Sequence, residues 1–142
     1  MKKIEIHTDG SCLGNPGRGG WAAIIIFGAH KKVISGGIKH ATNNQMELLA
    51  VIKGLEALKE PCEIELFSDS KYVLQGLETW IHNWKKNNWK GSTGPVKNVE
   101  LWKELDEMQQ KHKINFNWVK GHNGDPLNEE VDKLARNEAG QV

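Results

Sequence analysis

Two stretches of the chain run in one pattern, Ile4-Glu5-Ile6-His7-Thr8-Asp9 and Ile64-Glu65-Leu66-Phe67-Ser68-Asp69. Each reads apolar, Glu, apolar, variable, hydroxyl, Asp. Side chains alternate along a strand, so each Asp shares a face with its Glu and is expected to end its strand in the same phase. Parallel neighbouring strands would then set the two carboxylates side by side, at the carboxyl ends where open α/β sheets bind ligands. A competing reading has Asp9 opening a turn before Gly10 and Asp69 capping the helix behind it.

A third acid lies on the wrong side of its helix for a surface residue. At about 100° per residue, Gln45, Lys53, Glu56, Lys59 and Glu60 form the polar arc of the segment Asn43 to Lys59, while Ala50, Val51, Gly54, Leu55 and Leu58 lie opposite. Glu47 falls within the apolar arc. An ionised carboxylate buried without a partner is very costly, so Glu47 needs a cation or a proton; the alternative is a first-turn acid favouring the helix dipole. Asp132 borders the apolar arc of Leu127, Val131, Leu134, Ala135 and Ala139, with Arg136 four residues on. It is read either as a surface ion pair or as a fourth acid carried to the same sheet end by the loop from Val119 to Pro126.

Three or four carboxylates in one place repel one another unless divalent cations neutralise them or some stay protonated. Oxygen ligands alone favour a hard ion, Mg²⁺ or Mn²⁺, over Zn²⁺. Two such ions ~4 Å apart can activate water and stabilise the departing oxygen in phosphodiester cleavage. Other chemistries lack their patterns. Cys12, Cys62 and the scattered histidines have no zinc spacing, Gly14 to Gly20 fits neither a Walker loop nor a dinucleotide fingerprint, and Ser11, Ser68 and Ser70 have no nucleophile-elbow context.

The elements that must hold these acids follow from periodicity. Strands are expected over Lys2 to Asp9, Trp21 to Phe27 and, weakened by Gly36 and Gly37, Lys32 to Lys39, forming an antiparallel meander. A helix over Asn43 to Lys59 is stopped by Pro61. A strand over Glu63 to Ser68 leads to a helix from Ser70 to Lys86 with a break at Gly76. Asn87 to Lys97 reads as a loop, Asn98 as the cap of a helix to Lys111, Ile114 to Val119 as a strand, and Pro126 to Ala139 as the last helix. The order βββαβααβα, without repeats or linkers, predicts one α/β domain over 1–142 with a mixed sheet.

Size and charge agree with that frame. A 142-residue chain with 38% hydrophobic and 26% charged residues can bury a core without staples, and a formal charge of +1 gives no global attraction for nucleic acid. No stretch is long enough to span a membrane or form a signal peptide, so a cytoplasmic monomer with reduced cysteines is expected. Charge is local instead: between Thr79 and Val99 lie Lys85, Lys86, Lys90 and Lys97 and no acid, interleaved with Trp80, Trp84 and Trp89. Such an arm, at about 80–97, can grip phosphates while its rings pack on sugars or bases. Trp80 and Trp84, at helical spacing with Val73, Leu77 and Ile81, read first as core, which leaves Trp89 as the ring expected to be exposed.

The blocks Thr8-Asp9-Gly10-Ser11-Cys12-Leu13-Gly14-Asn15-Pro16-Gly17, Thr42-Asn43-Asn44-Gln45-Met46-Glu47, Ser68-Asp69-Ser70, Trp80-Ile81-His82-Asn83-Trp84-Lys85-Lys86 and Val119-Lys120-Gly121-His122, with Asn128 and Asp132, resemble bacterial type 1 ribonuclease H in order and spacing over nearly the whole chain. The resemblance implies the ribonuclease H-like fold, with a five-stranded mixed sheet in the order 3-2-1-4-5, the first three strands antiparallel, and helices on both faces. It further implies Mg²⁺-dependent hydrolysis of the RNA strand of an RNA/DNA hybrid, with Mn²⁺ as a possible substitute, leaving a 3′-hydroxyl and a 5′-phosphate. Asp9, Glu47, Asp69 and Asp132 match the family's metal-binding catalytic acids, and His122 its loop histidine. Asn15, Asn43, Asn44 and Asn128 match hybrid-contacting positions, Cys12 and Trp80 the DNA-side channel, Thr42 and Asn98 a DNA-phosphate pocket, and Trp84, Lys85, Lys86, Trp89 and Lys90 the basic protrusion.

The chain departs from the family pattern in places. Lys71 stands where relatives often carry a substrate-contacting Gln, and Lys90-Gly91-Ser92-Thr93-Gly94-Pro95 is poorer in lysine than the familiar protrusion, which predicts weaker hybrid binding and a shallower salt slope. Two rivals remain at this level, a hybrid-binding module without catalysis and a DNA-directed nuclease of the same superfamily.

Overall fold

The computed structural model describes residues 1–121 and 123–142. Strands β1 (Lys2–Leu13), β2 (Gly17–Phe27) and β3 (His30–Ala41) form the antiparallel meander, and helix α1 (Asn43–Glu56) leads to β4 (Cys62–Ser68). The next helical stretch is not uniform. It comprises α2 (Lys71–Gln75), one π-helical turn (Gly76–Trp80) and α3 (Ile81–Lys86), so the expected break at Gly76 is a change of helical pitch. The segment expected to be a loop contains a two-stranded ribbon, β5 (Lys90–Gly91) and β6 (Gly94–Pro95). Helix α4 (Val99–Gln109), strand β7 (Lys113–Trp118) and helix α5 (Pro126–Gln141) complete the chain. The main sheet has the order β3-β2-β1-β4-β7, which is the expected 3-2-1-4-5 once the ribbon is set aside.

Both hexads lie in register. Strands β1 and β4 run parallel with Ile4 beside Ile64, Ile6 beside Leu66 and Thr8 beside Ser68, so Asp9 and Asp69 each follow at the next position, Asp69 just beyond the end of β4. One expectation fails here: Asp9 does not end its strand. The antiparallel partner outlasts the parallel one, with pairing to β2 continuing from Asp9 opposite Ala22 to Leu13 opposite Arg18. Asp9 is therefore held by a ladder on one edge while its β4 edge is released. β3 also runs to twelve residues, and Gly36 and Gly37 do not shorten it.

Helices cover both faces. On one, Ile4, Ile6, Ile64 and Leu66 pack with Leu48, Val51, Ile52 and Leu55 of α1 and with Trp102 and Leu105 of α4. Gly76 is needed for this, because a Cβ there would collide with the Trp102 ring. On the other face Ala22 and Ile24 meet Val131 and Ala135 of α5. A Cβ on Gly20 would run into the Ala135 carbonyl, so that glycine lets the α5 backbone ride directly on β2.

Asn98 corrects a second expectation. It precedes α4 in the left-handed conformation (φ 59°) and its side chain makes no cap; its amide instead donates to the Tyr72 hydroxyl at 3.2 Å. Asn tolerates this backbone region better than most residues. The same hydroxyl accepts from Trp102 Nε1 at 3.1 Å, tying the start of α4 to α2.

Candidate active site

Glu47 reaches the sheet because α1 starts in a defined place. Thr42 Oγ1 accepts from the Gln45 amide at 3.2 Å and Gln45 Oε1 accepts from the Thr42 amide at 2.9 Å, a reciprocal capping box. One turn on, the Gly10 amide donates to Glu47 Oε1 at 2.6 Å. Gly10 has no room for a side chain, since a Cβ would collide with the backbone of Met46 and Glu47. That close approach brings Glu47 beside Asp9. The first turn of α1 holds no acid, and Glu47 is only 7% exposed, so the helix-dipole reading is set aside. Asp69 does not cap α2 either: Ser70 does, its hydroxyl accepting from the Val73 amide at 3.3 Å.

Asp9, Glu47 and Asp69 each place a carboxylate oxygen within 4.8 Å of the others. Asp9 is 3% exposed. Burial, then the charges of Glu47 and Asp69, then a hydrogen bond with Asp132 push the Asp9 carboxyl up to about 10. Burial and the Asp69 charge raise Glu47 to about 8 against the opposing pull of the Gly10 amide and of Asp9. Without a countercharge this pocket keeps protons at neutral pH; a divalent cation would replace them. An all-oxygen donor set suits a hard ion such as Mg²⁺ or Mn²⁺. Asp132, half-buried on α5, joins the group through Asp9 and pairs with Arg136 at 3.0 Å, so its two sequence readings hold together.

Asp69 is enclosed by the end of β7. The Val119 amide donates to the Ser68 carbonyl at 3.0 Å, Trp118 Nε1 donates to the Asp69 carbonyl at 3.1 Å, and a Cβ on Gly121 would lie 2.9 Å from Asp69 Oδ2. His122, the next residue, lies outside the described residues. Sequence reasoning passed over Trp118; its signal was a large aromatic in the strand phase that pairs with Ser68.

The other candidate residues fall into two regions. Asn15 Oδ1 accepts from the Asn43 amide at 3.1 Å, and the half-buried Cys12 thiol donates to the Ala41 carbonyl at 3.0 Å, so Cys12, Asn15, Thr42, Asn43 and the exposed Asn44 form one rim beside Glu47. Asn128 is buried on the first turn of α5, one turn before Asp132. Lys71 opens α2, with Nζ 4.6 Å from the centre of the Trp118 ring.

The basic arm departs from expectation at Trp89 and Lys85. Trp80 and Trp84 are half-buried, with ring centres 6.0 Å apart, and Trp84 meets Trp102 at 5.2 Å. Trp89, expected to be exposed, is also half-buried and packs on the main core, with Lys103 Nζ 5.8 Å from its ring. The hydrogen bond from its amide to the Trp84 carbonyl turns it inward. Lys85 is not a free cation: it pairs at 3.1 Å with Asp106, a buried acid contributed by α4. Lys86, Lys90 and Lys97 are exposed, and Lys97 lines a groove of about 480 Å³ with Tyr72, Trp80, Trp84 and residues 91–96.

With this geometry established, a family model for RNase H matches residues 1–140. The chain belongs to the RNase H family. A protein of Psychromonas ingrahamii named Ribonuclease H is 59% identical over 140 residues, covering 98% of this chain and 92% of that one. Among solved structures, LC9-RNase H1, described as a type 1 RNase H with the type 2 active-site motif, superposes with TM-score 0.90 at 27% identity over 99% of this chain and 73% of its own. LC11-RNase H1, solved in complex with an RNA/DNA hybrid, shares the fold with TM-score 0.74 at 20% identity over 97% of both chains.

Proposed function

We infer that the protein is an endonuclease that hydrolyses the RNA strand of RNA/DNA hybrids, leaving a 5′-phosphate and a 3′-hydroxyl. The observation that carries this reading is the cluster of Asp9, Glu47 and Asp69, with carboxylate oxygens within 4.8 Å of one another and the buried Asp9 and Glu47 pushed up to about 10 and about 8. Two Mg²⁺ ions, or Mn²⁺ in their place, would supply an activated water and neutralise the departing oxygen. Asp9, which hydrogen-bonds with Glu47 and Asp132 and lies within 4.8 Å of Asp69, would hold both; Glu47 and Asp69 would serve the leaving-oxygen side, and Asp132 the water side. His122 is assigned to proton transfer or product release.

Substrate recognition follows the two regions. The rim of Cys12, Asn15, Thr42, Asn43 and Asn44, with Lys71 and Asn128, would contact the hybrid near the acids. RNA would be told from DNA by contacts to the 2′-hydroxyl. Trp80, Trp84 and Asn98 border the DNA strand, with Lys86 and Lys90 on its phosphates; Lys85 and Trp89 support that surface from behind. We assign the protein as a single-domain monomer acting in the cytoplasm; among the described residues no helix is long and apolar enough to cross a membrane.

The decisive assay incubates labelled RNA/DNA hybrid, double-stranded RNA and double-stranded DNA with and without Mg²⁺. The expected result is cleavage of hybrid RNA alone, abolished by chelation and reduced by orders of magnitude in Asp9→Asn. Hybrid binding without cleavage at any metal concentration, or cleavage of DNA, would overturn the assignment in favour of one of its rivals.

A further inference from the structure

Trp118 is large and apolar, yet 48% exposed on an edge strand, so burial does not explain it. Two of its contacts are specific. The indole N–H donates to the Asp69 main-chain carbonyl at 3.1 Å, and the ring face carries the Lys71 ammonium at 4.6 Å. The Asp69 contact matters because strand β4 ends at Ser68, so the peptide unit joining Asp69 to Ser70 has no ladder to orient it. Side chains hold that unit instead: its carbonyl by Trp118, and its N–H by Ser68 Oγ at 3.0 Å. With both ends held, the main chain that carries the Asp69 side chain is fixed in place. On the remaining side Gly121 leaves room for Oδ2 and nothing larger.

We propose that Trp118 is a positioning residue that sets the distance between a metal-holding carboxylate and a substrate-facing cation. Its N–H anchors the Asp69 main chain, and its ring holds the Lys71 ammonium beside the groove lined by Leu74, Gln75, Glu78 and Phe116. This deepens the reading of the site as a metal-dependent nuclease and rests on it. The ring also makes sense of a lysine at position 71: a flexible point charge is unspecific by itself, and a ring beneath it restricts where the charge can go.

The two functions separate by substitution. Trp118→Phe keeps a ring under Lys71 and deletes the N–H. Trp118→Leu deletes both. For Trp118→Phe, kcat is expected to fall about three- to ten-fold, the worth of one such hydrogen bond, with KM for the hybrid unchanged. Mn²⁺ binding to the free protein, read from loss of the free-ion electron paramagnetic resonance signal, should weaken by a similar factor. Trp118→Leu should show the same losses and, in addition, a KM raised about two- to five-fold, as expected for an exposed cation–ring contact. Ser68→Ala, which frees the other end of the same peptide unit without touching a ring, should reproduce the kcat and Mn²⁺ effects at constant KM. Wild-type kcat and Mn²⁺ affinity in both Trp118→Phe and Ser68→Ala would overturn the proposal, as would a rise in KM alone. A wild-type protein that cleaves no hybrid, while its Mn²⁺ affinity still depends on Trp118, would refute the nuclease reading and leave the positioning role standing.

Discussion

Asp9→Asn should make the metal-free protein more stable, by an amount the structure allows to be worked out. Asp9 is 3% exposed among three other carboxylates and is pushed up to about 10. In the unfolded chain the same group titrates near 3.9, so at pH 7 folding requires it to take up a proton, at a cost of about 4 kcal/mol from 1.36 kcal/mol per pH unit. Asparagine has the shape of the neutral acid and needs no proton. Part of the cost is shared with Glu47, and the expected gain at pH 7 in EDTA is about 2–4 kcal/mol. The sign follows from the raised values. The folded wild type binds more protons than the unfolded chain between the unfolded carboxyl range and about pH 10, so its stability is fully present below about pH 4. It is lost progressively as pH rises toward about 8 for Glu47 and about 10 for Asp9. Urea denaturation of both proteins in EDTA at several pH values tests this, and the gap between them should widen from pH 5 to pH 8. Mg²⁺ should close most of the gap, because an ion at a hundredfold excess over its dissociation constant stabilises the folded wild type by about 2.7 kcal/mol. A gap that does not change with pH, or a wild type more stable than Asp9→Asn in EDTA at pH 7, would refute the account of the pocket.

Gly121→Ala places a Cβ 2.9 Å from Asp69 Oδ2 and must displace that carboxylate. Hydrolysis should fall by up to about a hundredfold with little change in melting temperature, as expected for a misplacement of about 1 Å; an unaltered kcat would show that the carboxylate position is not critical. Trp102→Ala empties a fully buried site that Gly76 is shaped to receive, and urea denaturation should show a loss of about 3–5 kcal/mol. Lys86→Ala and Lys90→Ala should each reduce the slope of log binding constant against log salt by about 1, if each lysine contacts one phosphate. Lys85→Ala should leave that slope nearly unchanged and cost up to about 1 kcal/mol of stability, because its ammonium is already paired with Asp106.

The acids were the most legible part of the chain. Matched phase in two strands and one Glu on an apolar helical arc follow from local geometry, and both are visible in a string of letters. What was misread depended on partners distant in sequence. Asp9 looked like a strand end because the pattern shared by residues 4–9 and 64–69 stops there, but β2 carries the ladder on to Leu13. Lys85 looked free because Asp106 is 21 positions away on another helix, and Trp89 looked exposed because it lies beyond a helical repeat that does not govern it. Asn98 has a cap-forming side chain, yet the Tyr72 hydroxyl takes it.

Residue order alone determined which groups can ionise, which faces are apolar and which strands share a phase, because these properties depend on neighbours a few positions away. The tertiary structure decided how near the acids come and therefore how strongly they hold protons. Burial and repulsion act over ångströms between segments that the chain separates by dozens of residues, and it took the close approach of Gly10 to Glu47 and of Gly121 to Asp69 to set those distances.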